Sequence, residues 1–139
     1  MIKEFQKEYR WLSNFAPVKI ILSEVIYPSV EHAYMSAKSN DPQWKLICAD
    51  ESKTPGDIKK LGRQVKLRDD WDTMKILVMR DCISQKFSQN PYKKLLIATG
   101  DEEIQEGNNW GDVIWGIDLK TGKGQNLLGK LIMEFRKTL

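Results

Sequence analysis

The sequence predicts an α+β fold, a mainly helical single domain of residues 1–139 with a small β-sheet. Residues 18–27 are rich in β-branched side chains and are interrupted by a polar Ser-Glu pair, which is typical of a β-hairpin. Much of the remaining chain carries apolar residues at helical spacing between capping residues. A chain of 139 residues is also long enough for one domain to bury a core without disulfides or metal.

Capping residues mark the first three helices. Ser29 is placed to N-cap a helix over residues 30–39. A polar cap followed by proline opens each of the next two helices, at Asp41-Pro42 and at Thr54-Pro55. Gly62 is placed to end the third helix.

The later helices follow apolar stripes. Residues 71–88 form the longest helical pattern, with a predicted buried stripe of Met74, Leu77, Val78 and Cys82, widened by Met79, Ile83 and Phe87. Asn90-Pro91 opens a shorter helix that stops at Gly100. The last helix follows a glycine-rich loop and is predicted to bury Leu127, Leu128, Leu131, Ile132 and Phe135.

Two segments before the last helix favour other structures. Residues 101–112 are acidic and rich in Gly and Asn, which predicts a loop with at most a short strand. Residues 113–119 predict a strand with Val113, Trp115 and Ile117 on one face.

The composition argues against several classes of protein. The single histidine, His32, and the two cysteines, Cys48 and Cys82, lie far apart in sequence, so no zinc site, redox motif or cofactor is predicted, and both thiols are expected to be buried. The net charge of +3 is small and evenly spread, which does not favour a dedicated nucleic-acid-binding protein. With no apolar signal region and no run of about 20 apolar residues, the sequence predicts a cytoplasmic protein without a membrane partner.

Glu31 and Lys38 are seven residues apart, so a helix would place them on one face, roughly 10 Å apart along its axis. Glu31 falls in the predicted first turn, where the helix dipole favours a carboxylate. An ordinary surface glutamate also satisfies this pattern, so the spacing leaves both interpretations open. His32 points about 100° away from Glu31, and a histidine packed at the helix start is favoured over a catalytic one.

Glycines and aromatic rings flank two carboxylates, Glu106 and Asp112, in the later loop. A carboxylate beside an aromatic ring loses solvent and gains a raised pKa, as a general acid or base requires. A solvated acidic loop with Trp115 in the core explains the same pattern equally well. Asn126 is the predicted N-cap of the last helix, and its side chain or the loop amides are also placed to touch a ligand.

Short motifs follow one another in a specific order along nearly the whole chain. They are Trp11-Leu-Ser-Asn-Phe15, Ser29-Val-Glu-His32 with Lys38, Lys60-Leu-Gly-Arg63, Trp71, Lys86-Phe87, Leu96-Ile-Ala-Thr-Gly-Asp101, Glu106, Asp112, Trp115-Gly116, and Gly124-Gln-Asn-Leu-Leu-Gly129 with Arg136. Each motif is short, but their order and gaps make the set specific. The set resembles the NADAR family, also called YbiA-like, and the resemblance implies a small α+β protein that cleaves N-glycosidic bonds on ribosyl groups without a metal.

The resemblance implies a hydrolase of phosphorylated ribosylamino-pyrimidine intermediates of riboflavin biosynthesis. The alternative within the family is removal of ADP-ribose from guanine bases, with nucleic acid only as a substrate. The alternative from another class is a non-catalytic module that binds nucleotides or nucleic acid through exposed tryptophans.

The resemblance also implies the site residues. Glu31 is expected to be the main acid or base, and Asp112 to orient ribose hydroxyls or share that proton. Lys38 is expected either to hold a substrate oxygen or to attack an opened ribose as an amine. Trp71 and Trp115 are expected to stack on the base. The other predicted substrate-binding residues are Arg10, Trp11, Ser13, Asn14, Lys60, Arg63, Glu106 and Asn126, among which the two arginines and Lys60 are candidates for a 5′-phosphate.

Overall fold

The computed structural model describes residues 1–139, which divide into two compact units. The central unit is residues 14–86, and the terminal unit is residues 1–13 together with 87–139, each named for its place in the sequence. The elements in chain order are β1 (Ile2–Glu4), a 3-10 helix (Lys7–Leu12), β2 (Pro17–Leu22), β3 (Val25–Ser29), α1 (Val30–Ser36), α2 (Pro42–Ala49), α3 (Pro55–Gly62), α4 (Trp71–Phe87), α5 (Tyr92–Ala98), β4 (Ile104–Asn108), β5 (Ile117–Asp118) and α6 (Leu127–Arg136). The α+β prediction is confirmed, and no helix combines the length and apolarity needed to cross a membrane.

In the central unit, β2 and β3 form the predicted hairpin. They pair antiparallel, with Ile20 opposite Tyr27, whose side chains are both buried. Ser23 and Glu24 make the turn with φ of 48° and 68°. Positive φ at both central residues is the geometry of a type I′ turn, whose twist matches the strands.

The predicted caps of α1, α2 and α3 are confirmed. The side chains of Ser29 and Asp41 accept hydrogen bonds from backbone amides in the first turns of α1 and α2. Thr54 and Asp57 form a reciprocal capping box at the start of α3. α1 ends at Ser36 instead of residue 39, since the chain turns there and the Lys38 carbonyl accepts a hydrogen bond from the Arg68 amide at 2.7 Å.

α4 occupies the predicted residues, but its buried stripe differs. Met79, Cys82, Ile83 and Phe87 are buried as predicted, whereas Leu77 is 52% exposed. The fourth position of the face formed by residues 79, 82 and 83 is residue 86, and Lys86 is fully buried there. The buried face therefore follows helical geometry. It includes Lys86, which the predicted stripe leaves out because that stripe counts apolar residues only.

In the terminal unit, β4 is the middle strand of a parallel sheet with the order β1-β4-β5. The short strand that the sequence allows within residues 101–112 is β4, in which Ile104 and Asn108 are almost completely buried. The strand forms because it pairs with β1, which places Ile2 opposite Ile104. Such a distant partner leaves no local signal in the sequence.

The strand predicted for residues 113–119 is wrong over residues 113–116. Val113 is 43% exposed, and only Ile117 and Asp118 belong to a strand. The carbonyls of residues 113–116 instead accept hydrogen bonds from the amides of residues 125–128, at the start of α6. α6 buries Leu128, Leu131 and Ile132 as predicted, while Leu127 and Phe135 are half-buried.

Candidate active site

Glu31 is buried in the first turn of α1. It is 6% exposed, and its backbone N–H donates to the Asn14 carbonyl at 3.0 Å. The whole of α1, Val30–Ser36, is buried with it. The interpretation of Glu31 as a solvated surface residue is therefore wrong. A buried carboxylate also requires charged or hydrogen-bonding groups around it that compensate for the lost solvent.

Lys38 supplies part of that environment just beyond the end of α1. It is half-buried, and burial lowers the pKa of its ammonium group. The Glu31 carboxylate opposes this effect and raises the pKa, while the Lys59 ammonium lowers it. Glu31 and Lys38 are thus electrostatically coupled, and Lys38 loses its proton more readily than an exposed lysine.

His32 is packed at the start of α1, as the sequence predicts. Its Nε2 lies 2.8 Å from the Lys53 carbonyl oxygen, and its Nδ1 lies 2.6 Å from the Ser29 hydroxyl. Since a carbonyl only accepts, this network assigns the proton of the neutral ring to Nε2 and makes Nδ1 an acceptor. Both ring nitrogens are occupied in holding the first turn that carries Glu31.

Asn14 and Trp71 lie on either side of this helix in the sequence. The Asn14 side-chain amide reaches Met79 Sδ at 3.8 Å, and its Oδ1 is a buried acceptor without a hydrogen-bond partner. Trp71 is only 6% exposed and packs against the Tyr34 ring, with centroids 5.1 Å apart. A buried acceptor without a partner calls for a ligand or water explanation, whereas base stacking by Trp71 stays a prediction.

Lys60 and Arg63 are exposed on and just after α3. Lys60 lines a shallow pocket of about 320 Å³ together with Lys53, Asp57, Leu61 and Gln64. Glu31 and Lys38 are not among the residues that line it. A phosphate-binding role for these two cations stays a prediction.

The cysteines are buried, as predicted. Burial raises the pKa of both the Cys48 and Cys82 thiols to about 12. Neither is therefore an available thiolate at neutral pH. No group of three or more His, Cys, Asp or Glu side chains is placed to hold a metal ion.

In the terminal unit, Asp112 shapes the loop that carries Trp115. Its Oδ1 accepts hydrogen bonds from the amides of Ile114 and Trp115 at 3.0 and 2.9 Å. The fully buried Asn108 side chain donates to the Asp112 and Ile117 carbonyls and accepts from the Asp112 amide. Sequence reasoning missed Asn108, because a lone Asn in a polar segment is more typical of a loop surface.

Replacing Asn108 by alanine is expected to destabilise the chain by about 3 kcal/mol, because several buried backbone groups lose their partner together. Urea unfolding followed by tryptophan fluorescence measures the change. Asn109→Ala, at the exposed neighbouring position, is the matched control and should be close to neutral. Equal stability of the two variants would contradict the role given to Asn108.

Asn126 does not cap α6 with its side chain. It occupies the N-cap position with φ of 53° and ψ of 41°, but its amide bonds to β4 instead. Its Oδ1 accepts from the Glu106 N–H and its Nδ2 donates to the Ile104 carbonyl, both at 2.9 Å. The predicted side-chain cap is therefore wrong, and the side chain joins Asn126 to Glu106.

The 3-10 helix and its C-cap residue, Ser13, carry three further predicted site residues. Arg10 is exposed, and its carbonyl accepts from the Ser13 amide at 3.0 Å. Trp11 is half-buried and packs edge-on against Phe87, with centroids 6.4 Å apart. This contact fixes the Trp11 ring, and the binding roles of all three residues stay predictions.

Known proteins resemble the chain over nearly its full length. It is 34% identical over 139 residues to a riboflavin biosynthesis protein of Vibrio vulnificus. The alignment covers 98% of this chain but only 37% of that protein. It is 35% identical over 138 residues to an N-glycosidase of Nostoc punctiforme, covering 94% of this chain and 86% of that protein. It is 33% identical over 135 residues to the N-glycosidase YbiA of Escherichia coli, covering 95% and 82%.

The fold agrees with these matches. The NMR structure of Escherichia coli YbiA superposes with a TM-score of 0.84 at 31% identity, covering 99% of this chain and 82% of that one. A family model described as the NADAR domain matches residues 2–139. The resemblance inferred from the motifs is thereby confirmed, and the chain belongs to the NADAR domain family.

Proposed function

We propose that this chain is an N-glycosidase that hydrolyses the bond between ribose C1 and nitrogen in a ribosylated, phosphorylated base. The substrate class we favour is a ribosylamino-pyrimidine phosphate of riboflavin biosynthesis. The observation that carries the proposal is the buried Glu31 coupled to Lys38 in a NADAR chain. The names of its relatives, N-glycosidase and riboflavin biosynthesis protein, support the reaction and the substrate class.

Glu31 has the environment that acid–base chemistry requires. Cleavage develops positive charge at ribose C1, needs a proton on the departing nitrogen, and consumes one water. A buried carboxylate stabilises the charge at C1 strongly, because little solvent screens it. In its ionised form Glu31 also takes a proton from the attacking water, and the departing nitrogen leaves as an amine.

Lys38 supports two routes. In the first, its ammonium group holds a substrate oxygen and the water attacks C1 directly. In the second, the sugar ring opens to an imine at C1, and the neutral Lys38 amine displaces the base nitrogen to form its own imine. Water then hydrolyses that imine and returns the free amine and ribose phosphate. The lowered pKa of Lys38 supports the second route, because only the neutral amine attacks.

Asn14 and the cations of α3 complete the proposal. The buried Oδ1 of Asn14 suits a ribosyl hydroxyl donor, and Lys60 with Arg63 suits a phosphate. Phosphorylated metabolites do not cross a bilayer unaided, because burying their charge is costly. We therefore place the reaction in the cytoplasm.

Product analysis tests the proposal. The chain is incubated with the ribosylamino-pyrimidine phosphate and, separately, with an ADP-ribosylated guanine oligonucleotide. Release of ribose phosphate and free aminopyrimidine from the first substrate supports the proposal. Release of ADP-ribose from the second alone would replace the substrate class, and binding without either product would favour a non-catalytic module.

Borohydride reduction during turnover is expected to leave a ribose phosphate adduct on Lys38, because the imine route passes through a reducible C=N bond. Peptide mass spectrometry locates the adduct. Lys38→Arg should abolish it, since arginine does not form the imine. Lys45→Arg is the matched control, because burial also lowers the pKa of Lys45. The absence of any adduct during active turnover would contradict the imine route and leave the electrostatic one.

A further inference from the structure

Helix α3 lies alongside α1 within the central unit. His32 Nε2 lies 2.8 Å from the carbonyl oxygen of Lys53, just before the start of α3. At the end of α3, a Cβ at Gly62 would lie 2.6 Å from Met35 Sδ, so glycine lets the two helices approach closely. Met35 follows Glu31 by four residues and shares its face of α1. The last turn of α3 is therefore a neighbour of the helix face that carries Glu31.

Lys59, in that last turn, extends over the ring of Phe15. Its Nζ lies 5.9 Å from the ring centroid, within the range of a cation–π contact. Phe15 directly follows Asn14, whose carbonyl accepts the Glu31 N–H at 3.0 Å. Lys59 is half-buried and Phe15 is 42% exposed, so solvent reaches this contact. The Lys59 ammonium group is thus held at the rim of the segment that contacts Glu31.

Lys59 also adds positive charge beside Lys38. Burial lowers the pKa of Lys38 most, while the Glu31 carboxylate raises it and the Lys59 ammonium group lowers it, so the three groups share one electrostatic field. Two cations and one carboxylate leave an excess of positive charge when Lys38 is protonated. On the imine route Lys38 reacts as the neutral amine, and Lys59 is then the cation that remains among the three. On either route, Lys59 is available to attract an anion.

Lys60, which the sequence predicts for the phosphate, points in another direction. It lines the shallow pocket described above, to which Lys38, Lys59 and Arg63 do not belong. Consecutive residues of a helix point about 100° apart, whereas residues four apart share a face. Arg63 follows Lys59 by four residues and keeps helical backbone angles as the C-cap of α3. Lys59 and Arg63 therefore place two cations on one face, and Lys60 does not share it.

We propose that Lys59, and not Lys60, is the main phosphate-binding cation of the Glu31–Lys38 site, with Arg63 assisting from the same face of α3. The proposal rests on the proposed function and assigns the phosphate monoester of its ribosyl substrate. The ammonium group donates and the phosphate oxygens accept, which makes the contact a charge-assisted hydrogen bond. Because the Phe15 ring already holds the lysine, less side-chain order is lost when the substrate binds.

Binding of ribose 5-phosphate, followed by NMR titration with ribose as the reference, tests the proposal. Lys59→Met keeps the apolar stem and removes the charge. It is expected to weaken binding of ribose 5-phosphate about 10- to 100-fold, the contribution of a hydrogen bond to a charged group, and to leave binding of ribose unchanged. Lys66→Met, at an exposed position of the same unit, is the matched control and should keep the wild-type affinity. Unchanged affinity in Lys59→Met would overturn the proposal.

Two further variants separate the charge of Lys59 from its packing and from its neighbour. Lys59→Arg keeps a cation and should retain most of the affinity, whereas a loss as large as that of Lys59→Met would assign Lys59 to packing and overturn the proposal. Lys60→Met should cost less affinity than Lys59→Met. An equal or larger loss in Lys60→Met would overturn the proposal and return the phosphate to Lys60. Circular dichroism establishes that each variant is folded.

The diphosphate of ADP-ribose offers the same chemistry as a phosphate monoester, so ADP-ribose is titrated in parallel. A loss in Lys59→Met that appears with ADP-ribose alone would overturn the assignment to a monoester.

Phe15→Leu tests the contact that holds Lys59. It should weaken binding of ribose 5-phosphate roughly two- to fivefold, the range of a cation–π contact at an exposed site. In the Lys59→Met background the same change should cause no further loss, because both changes then remove one interaction. Losses that multiply would overturn the role given to the ring.

Turnover separates this proposal from the proposed function. On the ribosylamino-pyrimidine phosphate, Lys59→Met should raise KM in step with the loss of affinity and change kcat less, because the phosphate is held similarly in the ground state and the transition state. A loss confined to kcat would overturn the binding role. A wild-type chain that cleaves no ribosyl substrate would overturn the proposed function, whereas the titration with ribose 5-phosphate would still decide whether Lys59 binds phosphate.

Discussion

Glu31→Gln is expected to lower kcat on the ribosylamino-pyrimidine phosphate by about 10²- to 10⁴-fold, the contribution typical of a general acid or base. Glutamine keeps the size and burial of the side chain, so the variant removes the charge and the titrating group while preserving the packing of α1. Steady-state kinetics with ribose phosphate release as the signal measures the loss. Thermal unfolding should show a folded variant, because a neutral amide is less costly to bury than a carboxylate.

The matched control is Glu51→Gln, which removes a glutamate charge at an exposed position of the same unit. It should leave kcat and KM near wild type. Unchanged turnover in Glu31→Gln would reject Glu31 as the acid or base, whichever of the two routes Lys38 follows.

The same variant tests the coupling of Glu31 to Lys38 through the pH dependence of the rate. The Glu31 carboxylate raises the pKa of Lys38, so its removal should lower that pKa further. The limb of the kcat/KM profile that reports Lys38 should therefore move to lower pH. A rate that rises with pH through this limb identifies the neutral amine as the active form, and a rate that falls identifies the ammonium group. A limb that stays in place would contradict the coupling.

The sequence predicts the central unit well because its signals are local. The caps at Ser29, Asp41 and Thr54 each act within one helical turn, so the helix starts can be read from neighbouring residues. The Ser23-Glu24 turn is local in the same way. The burial of Glu31 is different, because seven-residue spacing defines a shared face but does not say what packs against it.

The terminal unit is predicted less well because its structure depends on distant partners. β4 exists through its pairing with β1, whose Ile2 lies 102 positions before its partner Ile104 in the sequence. Asn108 and Asn126 are polar residues whose partners are backbone groups of a loop and a strand that local sequence patterns do not define in detail. Their roles depend on β4 and on the start of α6, whose positions are set by distant residues.

The burial of Lys86 in α4 is also not predictable from the sequence. Lysine is almost never fully buried, so a search for apolar stripes leaves it out. Burial lowers the pKa of its ammonium group to about 7, whereas the unfolded chain has the ordinary value of about 10.4. Between these values the unfolded state binds a proton that the folded state does not. The titration of Lys86 therefore adds to the free energy of unfolding as the pH rises through this window.

Between pH 7 and pH 9 the titration of Lys86 should contribute an increase of about 2 kcal/mol to the free energy of unfolding, which Lys86→Met should remove. Methionine fills a similar volume without a charge, so the difference between the two slopes isolates the titration of Lys86 from any change in packing. Urea unfolding at several pH values measures both slopes. The unfolded thiols of Cys48 and Cys82 ionise from about pH 8 upward while burial keeps the folded thiols protonated, which lowers stability equally in wild type and Lys86→Met, so the comparison stops at pH 9. A residual slope is expected in the variant, since Lys38 and Lys45 shift in the same direction as Lys86.

Lys93→Met, at an exposed position of α5, is the matched control and should keep the wild-type slope. Equal slopes in wild type and Lys86→Met would mean that Lys86 stays charged in the folded state, held by an interaction strong enough to offset its burial. Lys86 would then carry a buried charge over the whole pH range tested and would not be a neutral amine at alkaline pH. A buried charge costs several kcal/mol unless it is paired. The slope therefore decides whether the buried face of α4 contains a neutral amine or a paired ammonium group at Lys86.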